Sequence, residues 1–364
     1  MLSTKYIREK LFELKQDAYD KYDEEEKPSK KESVSYFGRC VFYSSKLIFK
    51  EKEIIVFAFL QLVCIALGYY LWVQVLDWIP EEVWESAKHS KNGSVADIVL
   101  LLWSFVCVGL TTYPLGLLSA CMGAAHFLHE NGEESTIAKC LRIILARAWP
   151  IWIFSWLDGW WTVCRILDRL PRKNDNRSTS DKLMAEAMYQ AWKIASLGFL
   201  PALIVGRGVI NGCKDSLGIL KTHFKTICQL RIAYSTLCWL FGIGAYVGCI
   251  FLIPYIKPYM SSENDMYTFC FFAGVPMIFA LFFIQVFFRP IYILSACRIY
   301  LNYAYENNIK FDLPKVSKFS SSVVAFFVLA VIVGTVFLYR DTLGITDLLS
   351  VPYKSGTNLH NIID

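Results

Sequence analysis

Five stretches of this chain are longer and more apolar than the interior of a water-soluble domain of its length can use. Ile54–Leu76 ("IIVFAFLQLVCIALGYYLWVQVL") carries no charged side chain, and Ile98–Phe127 has no Asp, Glu, Lys or Arg although it contains Pro114. Ile232–Ile256, Phe269–Phe288 and Ser322–Tyr339 complete the set. A hydrocarbon layer about 30 Å thick takes roughly 20 apolar residues per helical crossing, which these runs supply. Of the 364 residues, 55% are apolar and only 19% charged, too few charges to cover a soluble particle of this size. The expected fold is therefore all-α, a polytopic helical membrane protein.

Charge placement sets an expected orientation. Arg39, Lys46, Lys50 and Lys52 precede the first run, so the N-terminal side should be cytoplasmic. The loop at 79–97 carries four acids against Lys88 and Lys91, and the loop at 257–267 is short with one lysine; both suit the outer side. Arg298, Lys310, Lys315 and Lys318 return the chain to the inside before the last run, leaving an external tail. The net charge of +5 is thus topology bias, not nucleic-acid affinity, because the basic residues sit in separate loops. The first apolar run starts too late to be the core of a cleavable leader. A bacterial inner membrane is the expected location. "NGS" at Asn92 is a glycosylation sequon on an expected outer loop, relevant only to a eukaryotic source.

Five segments follow. Residues 1–35 form a charged cytoplasmic arm, in which "YIREKLFELKQ" has helical spacing and "DEEEKPSKK" reads as solvated linker. Residues 36–135 hold an interfacial helix, aromatic and basic in "YFGRCVFYSSKLIFKEKE", followed by the first helix pair. Residues 136–226 form a central hairpin laced with polar groups, 227–310 a second helix pair, and 311–364 the last helix and tail. The central stretches at 143–164 and 187–205 either both cross, which puts the basic "RILDRLPRKNDNRSTSDK" outside, or form a partial, interfacial hairpin; the charge rule favours the latter.

"LSACMGAAHFLHEN" at 118–131 is echoed 176 positions later by "LSACRIYLNYAYEN" at 294–307. The same shift lays Pro114 on Pro290, Gly68 on Gly244 and Tyr70 on Tyr246 without a gap. A tandem repeat of two kinked helix pairs is expected. Both copies enter in the same direction, so the repeat is parallel, not inverted. Gly116, Ala120 and Ala124 lie on one helix face, and "GAYVG" from Gly244 to Gly248 is a G-x-x-x-G. Small residues at this spacing let helices approach closely within one chain or between chains; packing within the chain is the expectation.

"SSKLIFKEKEIIVFAFL" (44–60), "AWKIASLGFLPALI" (191–204), "CKDSLGILKTHF" (213–224) and "ILSACRIYLNYAYE" (293–306) together resemble the landmarks of an uncharacterised family of six-helix bacterial membrane proteins. The resemblance covers roughly 40–306 and leaves out the arm and the last apolar run. It implies an integral membrane protein of unknown function and carries over no catalytic residue.

Charges inside apolar sequence are the candidate site. Arg147, Asp158 and Arg165 fall within about 20° of one helix face at 100° per residue. Glu186, Gln190 and Lys193 form a second stripe. Ionisable groups at membrane depth cost at least about 2.5–3.5 kcal/mol each unless paired or hydrated. An Asp158 pair with arginine or with Lys193 would relieve that cost. The stripes read either as a hydrated pathway or anionic-headgroup site, or as an amphipathic pair at the interface with tryptophan belt residues; the second is favoured.

Twelve cysteines occur with no C-x-x-C, several inside apolar runs, so no metal or redox centre is expected. His126 and His129 could share a metal, but their repeat positions are Asn302 and Tyr305, which favours a helix-end role. No hydrolase, zincin or nucleotide-binding motif occurs. The expectation is a non-enzymatic membrane component without cofactor, surrounded by lipid and docking another protein of a membrane complex through its arm and basic loops. The alternative is a transporter, channel or lipid-handling protein using the Arg147/Asp158/Arg165 stripe.

Overall fold

The computed structural model describes residues 32–74, 95–169, 179–256, 265–309, 321–340 and 342–344. Residues 1–31, the loop that holds Asn92, the basic loop at 170–178, Lys310, Lys315, Lys318 and the tail from 345 lie outside the described residues. Every regular element among those described is helical. Among the described residues five helices are long and apolar enough to cross a membrane: Lys52–Val73, Val99–Glu130, Phe224–Leu252, Gly274–Glu306 and Ser321–Leu338. Each overlaps one of the five apolar runs of the sequence, although the third starts eight residues earlier than its run and the fourth ends eighteen residues later. The chain divides into two compact units, 53–190 with 314–364, and 1–52 with 191–313. The central segment 136–226 is thus shared between units, its division falling inside one helix.

In the first unit, α2 (Lys52–Val73) lies antiparallel to α3 (Val95–Glu130). Gln61 Nε2 donates to Leu115 O (3.0 Å) and Ser119 Oγ (2.7 Å), while nearer the other end Trp72 Nε1 donates to Ser104 Oγ (2.9 Å). Between these bonds Gly68 faces Thr111 so closely that a Cβ would overlap it. After α4 (Ile137–Leu145), capped by Thr136 accepting from the Lys139 N–H, the chain enters α5 (Ala148–Arg169). Helix α5 runs antiparallel along α3: Trp152 Nε1 donates to Gly109 O (2.9 Å) and Trp156 Nε1 to Phe105 O (3.0 Å). This lengthwise packing brings to α3 a helix that is not among the five long and apolar enough to cross a membrane. Its cause is a seam of small residues, Gly109, Gly116 and Gly159, against which Trp156, Ser155 and Thr112 close. Helix α6 (Thr179–Ala195) then turns back along α5.

Helix α12 (Ser321–Leu338) packs on α3 and α5. Trp149 Nε1 donates to Ser321 Oγ (2.8 Å), Phe326 stacks on Tyr113 at 4.4 Å, and Val333 joins Trp103, Cys107 and Leu110 in a buried apolar cluster.

In the second unit, α1 (Glu32–Lys50) is amphipathic. Cys40, Ser44, Leu47 and Ile48 are buried at i, i+4, i+7 and i+8, while Phe42 and Phe49 are exposed. Its buried face packs on α11 (Arg289–Glu306), where Ser44 Oγ and Ser295 Oγ share a hydrogen bond of 3.0 Å. Short helices α7 (Phe199–Ile204) and α8 (Val209–Thr222) also pack on α11. Helix α9 (Phe224–Ile256) pairs with α10 (Asp265–Phe283), Phe241 meeting Phe279 and Phe283. A π-helical turn at Ile284–Phe288 joins α10 to α11 directly before Pro290, whose ring cannot continue a regular α ladder.

The two echoed phrases end their helices alike. Asn131 N bonds Phe127 O, Gly132 N bonds His129 O and Glu133 N bonds Leu128 O. Shifted by 176, Asn307 N bonds Tyr303 O, Asn308 N bonds Tyr305 O and Ile309 N bonds Ala304 O. The residue that turns the chain has positive φ in both, +69° at Gly132 and +51° at Asn308. Leu118, Ser119, Ala120 and Cys121 are all buried, as are Leu294, Ser295, Ala296 and Cys297. The phrase recurs where each long helix is covered by its neighbours.

Candidate functional site

The two charge stripes meet at one point. Arg165, on α5, is 9% exposed; its Nε and Nη2 donate to Glu186 Oε2 on α6 at 3.1 and 2.9 Å, and Nη2 also reaches Lys182 O at 3.2 Å. Gln190 Nε2 donates to Glu186 Oε1 (2.7 Å), so both carboxylate oxygens are bonded. Tyr189, one position earlier, directs its hydroxyl at Thr162 Oγ1 (3.5 Å). Helix α5 sets Trp152 and Trp156 against α3, and Arg165 joins it to α6 through the Glu186 carboxylate.

The remaining stripe residues do not converge there. Arg147 sits at the break between α4 and α5, its N–H on Ile144 O (2.8 Å). From Arg147 to Arg165 is 18 residues, about 27 Å of helix. Asp158 is part-buried between them, its main-chain oxygen accepting from Thr162 Oγ1 (2.7 Å). Lys193 lies beyond Gln190, in the other compact unit. The stripe is therefore a line along α5, not one pocket. Arg147 Nε is buried and has no hydrogen-bond partner among the described residues.

The small-residue sets also part company. Gly116 closes on Ser155, and Ala120 and Ala124 are fully buried, so this face packs helices within the chain. A Cβ at Gly244 or Gly248 would meet nothing within 4 Å among the described residues. Both instead border an apolar groove of about 710 Å³ between α9 and α10, walled by Leu240, Phe241, Pro276 and Phe279.

A second buried network has no counterpart among the charge stripes. Asp215, on α8 and 5% exposed, takes a two-pronged grip from Arg207 (Nε to Oδ2, 2.7 Å; Nη2 to Oδ1, 3.1 Å) and a third bond from the Tyr300 hydroxyl on α11 (3.2 Å). Bonding to the carboxylate holds the Arg207 guanidinium above its already high ordinary pKa. Ser216 Oγ donates to Ala195 O, and His223 Nε2 meets Glu306 Oε2 at 3.2 Å. Three helices and the turn before α8 are thereby tied together. The only signal in the sequence was an Arg–Asp spacing of eight across a turn containing Gly206 (φ +96°) and Gly208.

Among the described residues no group of three His, Cys, Asp or Glu side chains is placed to hold a metal ion, and His126 is fully buried within α3. Comparison with known proteins gives no match to any family model, to any curated protein or to any solved structure.

Proposed function

We propose that this chain is a non-enzymatic, multi-pass integral membrane component: an anchoring, assembly or structural subunit of a larger membrane complex, built on two parallel repeats of a helix pair. A bacterial inner membrane with the N-terminal side cytoplasmic is the setting that fits the charge distribution. One observation carries this reading. Arg165–Glu186–Gln190, Arg207–Asp215–Tyr300, Gln61–Ser119 and Ser44–Ser295 each join one helix or its adjoining turn to another, while the long helices present apolar side chains outward. At these four points buried polar chemistry is used to hold helices together. Purification into native nanodiscs followed by mass spectrometry tests it; a stoichiometric protein should be retained. Asp158→Asn should leave that association intact.

A second reading, a transport or lipid-handling protein with an anionic ligand on the α5 stripe, is favoured by the buried Arg147 Nε, unsatisfied among the described residues. A lipid or solute that co-purifies without protein, and is lost in Arg147→Ala, would put this reading in place of the first.

A further inference from the structure

The two helix pairs treat the same surface differently. In the first pair, Trp72, Leu100 and Trp103 lie in one apolar cluster, which α12 completes with Val333 while Phe326, Leu329, Ala330 and Phe337 pack around it. A shift of 176 carries those three positions to Gly248, Pro276 and Phe279. All three line the groove between α9 and α10. Gly248 stands where the first pair has the Trp72 indole, so among the described residues the second pair is open at a position that the first fills.

We infer that the α9–α10 groove is the seat of a transmembrane helix from a partner polypeptide, a single uncharged span with bulky apolar side chains on one face. This rests on the subunit reading above and names the kind of partner. The first pair supplies the template: its cover, α12, is an 18-residue helix with no charged residue and phenylalanines at the contact. Between lipid-solvated helices association depends on close packing, and Gly244 and Gly248 set a floor low enough to admit a neighbour's side chains. A second copy of this chain related by a two-fold axis would bring the same concavity to the groove, and two hollows facing each other leave a void. A protruding helix fills it.

The test uses the full chain in its native membrane. The photoreactive residue p-benzoylphenylalanine is placed at Leu240, on the groove wall, or at Tyr246, on the same helix but outside the groove. The expected result is one discrete protein adduct from position 240 and none from 246, with the cross-linked partner peptide inside an uncharged apolar run of transmembrane length. Gly248→Leu should reduce that adduct at least tenfold while yield and thermal unfolding stay unchanged, since a Cβ there borders the groove and meets nothing within 4 Å among the described residues. The paired probe positions discriminate even if Gly248→Leu expresses poorly. An adduct with a second copy, an adduct with phospholipid alone, or a protein adduct indifferent to Gly248→Leu would each overturn the inference. If a stoichiometric protein still co-purifies with Gly248→Leu at wild-type level, the groove is not its seat and the subunit reading stands. If no protein is retained from the wild type, both fall.

Discussion

Gly132 and Asn308, 176 positions apart, close two different helices by the same left-handed turn, with φ of +69° and +51° and matching main-chain hydrogen bonds. A non-glycine residue in this region strains its Cβ by about 1–2 kcal/mol, and asparagine bears it better than most. Gly132→Ala should therefore destabilise the chain by about 1 kcal/mol, although space is open around it. Asn308→Gly should be neutral or slightly stabilising. Thermal unfolding in one detergent reads both; equal losses from the two substitutions would argue against matched caps.

The membrane-length helices were legible because bilayer thickness is written directly into run length, as in Ile54–Leu76 and Ser322–Tyr339. The α5 stretch was harder. Charge counting speaks against a full crossing by a segment that carries Asp158 and is followed by "RILDR", but it does not reveal that Gly109, Gly116 and Gly159 let the helix lie lengthwise against α3. Packing between helices distant in sequence decided this, and no local pattern encodes it. The stripes holding Arg165 and Glu186 were legible, but the pairing read from them was Asp158 with arginine or Lys193, not Arg165 with Glu186. The Arg207–Asp215–Tyr300 network was not legible, because Tyr300 lies 85 residues from Asp215 and has Ala124 at its repeat position.

Arg165 and Glu186 should be energetically coupled. Arg165→Ala takes the guanidinium from a part-buried carboxylate that Gln190 still meets, and should destabilise by about 2–3 kcal/mol, discounted from a fully buried pair because Glu186 is one-third exposed. Glu186→Gln should cost less, since the amide oxygen still accepts from the guanidinium. Combining Arg165→Met with Glu186→Leu should recover most of the loss that either causes alone. Unfolding of these two single variants, the double variant and the wild type forms a double-mutant cycle, and additive losses would mean the pair does not hold α6 to α5.

Gly116 and Ser155 give a steric version of the same test. A Cβ at Gly116 would overlap Ser155 Oγ, so Gly116→Val should push α5 away from α3 and destabilise by about 1–3 kcal/mol. Adding Ser155→Gly should return part of that loss. Gly244→Val, with nothing within 4 Å of its Cβ among the described residues, should leave the isolated chain's unfolding temperature unchanged. Comparable destabilisation at 116 and 244 would mean the groove is closed in the folded protein.

Asp215 holds the second unit together through two partners of unequal weight. Tyr300→Phe removes one neutral donor and leaves the Arg207 fork in place, so it should cost about 1 kcal/mol. Asp215→Ala leaves the Arg207 guanidinium without its carboxylate and the Tyr300 hydroxyl buried without its acceptor, and should cost about 3–5 kcal/mol. Because Arg207 is about one-third exposed and can turn toward water, the loss should sit at the lower end of that range. Asp215→Asn should fall between, retaining an acceptor for Tyr300 but not the charge that Arg207 grips. The order Tyr300→Phe, Asp215→Asn, Asp215→Ala, measured by thermal unfolding, is the expected outcome. A Tyr300→Phe loss as large as that of Asp215→Ala would show that the hydroxyl, not the ion pair, ties α8 to α11.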